Sequence, residues 1–247
     1  MSSFDDFYAQ CYDSIHASKI YAEEAQQILD LWGEYSEASP AMKILDFGAG
    51  TGNHANEFIK NGYKNVYCYE PSLGMRKVLT RKFPHMSILE KPDQKSDYFD
   101  LVISLFDVLS YQVNQKELEN YLLEISQLAN KGAIILIDSW NASGVTLSKP
   151  EFRERSFYID NTEYTRFVRP KFYGGNNLYD LDIEIRKTAT AELKYLNTHK
   201  MRAYNPDDLK VTLNRYGMEV IGIRNAANYK KSLIAEDWRF IFIIRKN

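Results

Sequence analysis

The chain has 247 residues, 45% of them hydrophobic and 26% charged, ordinary proportions for a soluble globular protein with a sizeable core. Its 31 basic and 33 acidic side chains leave a net charge of −2, and no basic run exceeds Lys230-Lys231, so the basic patch of a nucleic-acid surface is missing. Cys11 and Cys68 are too far apart for a zinc site or a disulfide framework, and neither a signal peptide nor an apolar run of about 18 residues is present, which implies a cytoplasmic protein.

Near the start, Tyr21, Ala25, Ile28 and Trp32 form a stripe at helical spacing, the mark of an amphipathic helix packed on a core. From about residue 42 to 140, short β-rich runs alternate with helical patterns, which predicts βαβ units and a parallel sheet. The expected strands are Lys43–Phe47, Val66–Glu70, Met86–Leu89, Leu101–Leu105 and Ala133–Asp138, mostly continuous apolar runs suited to strands covered on both faces. Between them, a helix begins near Asn53 and ends at Gly62, Ser72 caps a second running towards Lys82, and Gln115 to Ala129 is a third.

From Phe157 to Leu196 the pattern changes to alternation, as in Leu181, Ile183 and Ile185, with a Gly174-Gly175-Asn176-Asn177 turn inside it, so an antiparallel insertion is expected. Asn205-Pro206 then opens a helix that Gly217 closes, and strands Glu219–Ile223 and Arg239–Ile244 end the chain.

The first strand ends in Asp46 and runs into Gly48, Gly50 and Gly52, a tight turn that lets backbone approach a ligand. The dinucleotide fingerprint wants a glycine where Asn53 stands, and a phosphate-binding loop wants Gly-Lys-Ser/Thr, which is absent. A carboxylate beside the turn suits a ligand with an ammonium group in place of a phosphate, which S-adenosylmethionine (SAM) is. Glu70, 20 residues beyond Gly50, stands where an acid accepts hydrogen bonds from ribose hydroxyls. Leu73 and Met75 follow as an apolar floor for adenine.

Ile44-Leu45-Asp46-Phe47-Gly48-Ala49-Gly50-Thr51-Gly52 resembles motif I of class I SAM-dependent methyltransferases. The resemblance extends through Tyr69-Glu70-Pro71-Ser72 and Phe99 to Ser104, then Leu105-Phe106-Asp107 to Tyr111. It implies SAM as cofactor, held by Asp46, Gly48, Ala49, Gly50, Gly52, Asn53, Glu70, Pro71, Met75 and Phe106. The implied fold is α/β: a Rossmann-like, seven-stranded, mostly parallel sheet with helices on both faces and an antiparallel β insertion.

Tyr8 to Asp13, with Lys19 and Tyr21, and the run His199 to Tyr204 are similar to a narrower group, small-molecule enzymes that include deoxyaminosugar N-methyltransferases. That similarity implies residues 1–40 as a helical lid whose Tyr12, Lys19 and Tyr21 reach the cofactor. It implies a core of residues 41–144 and 205–247, and residues 145–204 as a roof over the acceptor pocket. The chain departs from the group in two places. The Gly-Asp pair usual after the third strand is replaced by Glu90-Lys91-Pro92-Asp93, leaving Glu90 and Asp93 as adenine candidates, and Asn141 stands where a tyrosine is common.

Methyl transfer is an in-line displacement that needs alignment first, and a base only when the acceptor arrives protonated or as a hydroxyl. Loops leaving the carboxyl ends of the strands offer Asp107, Ser110, Tyr111, Asp138, Trp140 and Asn141. His199 is the preferred base, with Tyr111 and Asp107 beside it, while His16, His54 and His85 are expected on the surface or in packing. No metal or serine-hydrolase motif is present. The expected acceptor is a small molecule methylated on N or O, such as a sugar nucleotide, with no nucleic-acid or membrane partner and a homodimer allowed. The rival readings are a nucleic-acid or protein methyltransferase and a non-catalytic SAM-binding regulator.

Overall fold

The computed structural model describes residues 4–37, 39–92, 95–173, 175 and 177–247. Five consecutive strands, β1 (Lys43–Phe47), β2 (Asn65–Tyr69), β3 (Ser87–Leu89), β4 (Phe99–Ser104) and β5 (Ala129–Trp140), pair in parallel in the order β3-β2-β1-β4-β5. Three more extend the sheet beyond β5 by antiparallel pairing: β12 (Arg239–Lys246), β10 (Met218–Asn225) and β11 (Asn228–Ser232). The sheet therefore has eight strands where seven were expected. The extra one, β11, reads Asn-Tyr-Lys-Lys-Ser and buries only Tyr229, so it carries no hydrophobic period to reveal it. Strand β5 runs beyond the expected Ala133–Asp138 at both ends, because pairing with β4 reaches Ala129 and pairing with β12 reaches Trp140.

Helices cover both faces. On one, α2 (Tyr21–Gly33) and α3 (Asn53–Lys60) bury Ile28, Trp32 and Phe58 against Ile44, Leu101 and Ile241. On the other, α5 (Gln115–Leu128) and α7 (Pro206–Arg215) bury Leu122, Ile125 and Leu213 against Leu45, Val102 and Phe242. The expected caps are in place: Ser72 receives the Met75 N–H at the start of α4 (Leu73–Lys82), and Asn205 does the same for α7. A short α6 (Ala142–Leu147) follows β5.

The insertion is a four-stranded antiparallel sheet, β6 (Arg153–Ile159), β7 (Thr162–Tyr173), β8 (Leu178–Lys187) and β9 (Leu193–Arg202). Of the turn expected between β7 and β8, Gly174 and Asn176 lie outside the described residues. Helix α1 (Asp6–Ile15) fills the space between this sheet and α4, with Tyr8, Ala9, Cys11 and Ile15 buried among Met75, Val78, Phe157, Ile183 and Tyr195. The larger of these, such as Ile15, Met75, Phe157 and Ile183, contribute about 1.5–3 kcal/mol each, so the seam itself joins insertion to core. The contact is close: a Cβ on Gly74 would lie 2.9 Å from the Asp5 carbonyl. Among the described residues no helix is long and apolar enough to cross a membrane.

Candidate functional site

A cavity of about 370 Å³ opens at the carboxyl ends of β1, β2 and β4, where open α/β sheets hold ligands. Its floor is the loop after β1. The Gly48 and Ala49 N–H groups donate to the Tyr69 carbonyl at 2.7 and 3.0 Å, which ties the loop to the end of β2. Gly50 has φ +56°, and the nearest atom to an added Cβ is 4.0 Å away on the Tyr12 ring, so the missing side chain is cavity space. Gly52, at φ +81°, is not on the wall; a Cβ there would meet Leu79 at 2.9 Å, so it serves the packing of loop on α4.

Glu70 is buried on the wall and divides its carboxylate between two backbone donors. Oε2 accepts from the Gly50 N–H at 2.8 Å and Oε1 from the Ser72 N–H at 2.7 Å. Burial pushes its carboxyl up to about 7 despite those two donors. Asp46 is 2% exposed, lies beneath the loop and off the wall, and leaves Oδ2 without a hydrogen-bond partner. Burial pushes it up to about 6.

Asn53, which takes the place of a third glycine, stands on the wall and also ties the loop down. Its amide donates to Asp13 Oδ1 at 3.0 Å and its oxygen accepts from Lys82 at 2.7 Å, while the Thr51 hydroxyl donates to Asp13 at 2.6 Å. Lys82 also meets Asp13 Oδ2 at 2.5 Å. Loop, α1 and α4 are thus latched at one carboxylate. Burial opposes the Asp13 charge, but the bonds from Lys82 and Thr51 outweigh it and hold its carboxyl below the ordinary value.

The roof side presents Phe4, Tyr12 and Tyr21. His54, expected on the surface or in packing, lies on the wall beside the Tyr21 ring, with Nε2 2.7 Å from Glu24. Burial acts against the Glu24 charge, yet His54 and Lys19 hold it down at about 2. Lys19 itself is off the wall: it pairs with Glu24 at 2.5 Å, lies over the Phe106 ring at 4.3 Å and faces a second cavity of about 280 Å³. His16 packs edge-on against Phe106, and burial, then Arg166 and Lys19, push it down to about 4, so it is neutral at pH 7. His85 is exposed.

After β4, Phe106 and Val108 line the cavity and Asp107 does not. Asp107 binds the Arg239 guanidinium at 2.7 Å, and Asp138 accepts both the Phe106 and the Asp107 N–H. Tyr111, on a single 3-10 turn, reaches the wall, and its hydroxyl is 2.9 Å from Nδ1 of His199. His199 is 1% exposed, sits behind Tyr111 rather than on the wall, and engages Tyr195 through Nε2 at 2.7 Å. Ser110 bonds Ser139, Asn141 bonds the Asp237 carbonyl, and Trp140 packs on Tyr179 and Trp238, all away from the cavity.

Met75 and Pro71 stand on the wall as expected, but Leu73 is 65% exposed and Glu90 is also exposed. Asp93 lies outside the described residues. Sequence reasoning missed Phe4, Thr51, His54, Ser72, Leu105, Val108 and Gln112. Thr51 and His54 carried a signal in bordering the glycine turn, and Ser72 and Leu105 in adjoining Pro71 and Phe106.

The residues suit SAM. Gly50 leaves the gap for it, Glu70 keeps free lone pairs for two hydroxyls, Met75 and Pro71 offer an apolar surface, and the orphaned oxygen of Asp46 is a counter-charge beneath the loop.

A family model described as a methyltransferase domain matches residues 17–222. An uncharacterized methyltransferase of Bacillus cytotoxicus is 28% identical over 177 residues, 65% of this chain and 81% of the relative. A dTDP-4-amino-2,3,4,6-tetradeoxy-D-glucose N,N-dimethyltransferase of Saccharopolyspora spinosa is 25% identical over 144 residues, 56% of this chain and 57% of its own. Over eight curated relatives the matched share of the relative runs from 44% to 81%. In fold, the chain is similar to a SAM-dependent methyltransferase from Clostridium acetobutylicum, with TM-score 0.78, 18% identity and coverage of 96% of this chain and 97% of that one.

Proposed function

The chain belongs to the methyltransferase domain family, with SAM as its donor, and from that premise we propose that it methylates an amine nitrogen of a small molecule. The observation that carries this reading is the roofed cavity. Phe4, Tyr12 and Tyr111 stand on its wall with the glycine loop, a setting that suits a compact acceptor better than a polymer. The Saccharopolyspora relative, a dimethyltransferase of an amino sugar nucleotide, supports the same class of acceptor.

SAM supplies an electrophilic methyl group on a sulfonium centre. The chain's own part is to hold its partner still and to exclude water, which is where most of the rate comes from in a reaction with no covalent enzyme intermediate. An amine attacks only when neutral, and sheds a proton afterwards. In this reading Tyr111, which lines the cavity, is the group that touches it. His199, behind Tyr111 and bonded on both nitrogens, acts through that phenol and not by direct contact, and Tyr195 continues the chain of hydrogen bonds inward. Asp107, committed to Arg239, is left out of the proton path.

The test is transfer of labelled methyl from SAM into a panel of small amines, amino sugars and their nucleotides among them, followed by mass identification. Label on nitrogen supports the reading; label confined to hydroxyl acceptors, RNA or protein overturns it. With an acceptor in hand, His199→Ala and Tyr111→Phe should each lower turnover by about a hundredfold, the lower end of the usual 10²–10⁴ range for acid–base assistance, and leave SAM affinity alone. An unaltered rate removes both from the mechanism.

A further inference from the structure

Phe106 and Asp107 are consecutive, neither is glycine, and their φ angles are +67° and +69°. Left-handed backbone is uncommon for a single side-chain-bearing residue, and two in succession persist only where surroundings over-determine them. Here the surroundings are one carboxylate and one guanidinium. Asp138, 1% exposed at the end of β5, accepts the Phe106 N–H on Oδ2 at 2.9 Å and the Asp107 N–H on Oδ1 at 2.7 Å. Arg239, the first residue of β12, donates through one terminal nitrogen to Asp138 at 2.5 Å and through Nε to Asp107 at 2.7 Å. The paired registers of Trp140 with Arg239 and Asp138 with Ile241 place β5 and β12 side by side, so the clamp is fixed to the rigid centre of the sheet.

The product of this arrangement is the placement of one ring. Phe106 stands on the cavity wall with the guanidinium of Arg239 5.6 Å and the ammonium of Lys19 4.3 Å from its centroid, and with Tyr12 and His16 edge-on. Arg239 is not on that wall; it faces the second cavity, behind Phe106.

We propose that Arg239 is a positioning residue for the methyl donor: through Asp138 and Asp107 it holds the left-handed Phe106–Asp107 turn and so sets the Phe106 ring against the bound donor. Without the guanidinium, two facing carboxylates repel, the turn relaxes towards ordinary backbone, and the ring leaves its place. The inference rests on SAM occupying the main cavity, which binding to the unaltered protein checks separately.

The test measures SAM dissociation constants by titration calorimetry, alongside thermal melting without ligand. Arg239→Gln and Phe106→Ala should each weaken SAM about tenfold, and together no more than about threefold beyond the worse single change, because both remove the same contact. Adding Asp107→Gly to Arg239→Gln removes the repulsion and makes one left-handed position free of strain, so affinity should return to within threefold of the original. Additive losses in the double variant, no recovery with Asp107→Gly, or full SAM affinity in folded Arg239→Gln would each overturn the proposal. Should Arg239→Gln fail to fold, Arg239→Lys takes its place in the same cycle, with a smaller loss and the same non-additivity required.

Discussion

The two walls of the cavity are made in unlike ways. The floor, from β1 through α4, presents the open backbone of Gly50 and one carboxylate, Glu70, which the N–H groups of Gly50 and Ser72 hold in place. The roof presents side chains, namely Phe4 and Tyr12 from the N-terminal segment and, from the edge of the core, Tyr111 backed by His199; among the described residues none of the insertion expected to roof the pocket stands on its wall. Backbone recognition demands particular residues at fixed spacing. A side-chain roof needs only rings of suitable size, so the same donor can be roofed over by many sequences.

The comparison breaks first at Glu70. Glu70→Ala removes the acceptor for two loop N–H groups and for the donor, and charge-assisted hydrogen bonds of about 1.5–3 kcal/mol each predict a loss of SAM affinity of roughly a hundredfold. Calorimetry on Glu70→Ala and Asp46→Ala checks it; unchanged affinity in both would remove the donor from this cavity.

A pair of glycines separates ligand approach from packing within the floor. Gly50→Ala should weaken SAM roughly thirtyfold, since its Cβ enters the cavity, and cost the unliganded fold only the roughly 1 kcal/mol of a left-handed alanine with no clash added. Gly52→Ala, 2.9 Å from Leu79 and left-handed, should instead destabilise the unliganded fold by about 1–3 kcal/mol. Equal effects of the two on melting would mean that the loop is a packing device throughout.

The floor should also respond to pH. Burial raises Glu70 to about 7 and Asp46 to about 6, so both take up protons as pH falls from 7.5 to 5.5, and SAM binding should weaken roughly tenfold. The sign for folding is opposite. Acids with raised values stabilise the fold below their unfolded values and lose that contribution as pH rises through 6 to 7, so the free protein gains from these two groups on acidification. Glu24 and Asp13, held low, lose their contribution only in more acid solution. Melting curves with and without SAM across this range should therefore move apart at pH 7.5 and together at pH 5.5.

This division explains what the sequence made legible. Asp46, Gly50 and Glu70 could be found because strand periodicity and glycine spacing are local. Asn53 was visible as an exception, but its purpose was not, since Asp13 and Lys82 come from elsewhere in the chain. Lys19 and His199 were expected at the ligand and stand one residue behind it, behind Phe106 and Tyr111 respectively. A sequence shows which groups gather at a site but not which of two neighbours faces inward. Strand β11 escaped for a related reason, its pairing with β10 being fixed by hydrogen bonds and one buried tyrosine.

The smallest expected effect lies where the two walls meet. Asp13 joins α1 to Thr51, Asn53 and Lys82, but it is 37% exposed, and an ion pair so placed is worth at most about 1 kcal/mol. The hydrogen bonds from Thr51 and Asn53 add about 1 kcal/mol each, some of which water restores when α1 lifts. Because Phe4 and Tyr12 belong to the same N-terminal segment, weakening the latch raises the fraction of molecules with the roof open and leaves Glu70 and the loop intact. Asp13→Ala should therefore weaken SAM only about three- to fivefold, almost wholly through faster dissociation. Asp13→Asn keeps an acceptor for the Thr51 hydroxyl, so it should sit between Asp13→Ala and the original protein. Stopped-flow displacement of SAM measures the dissociation rate directly. If Asp13→Ala slows association instead, the latch shapes the floor before the donor arrives, and the two walls are one structure.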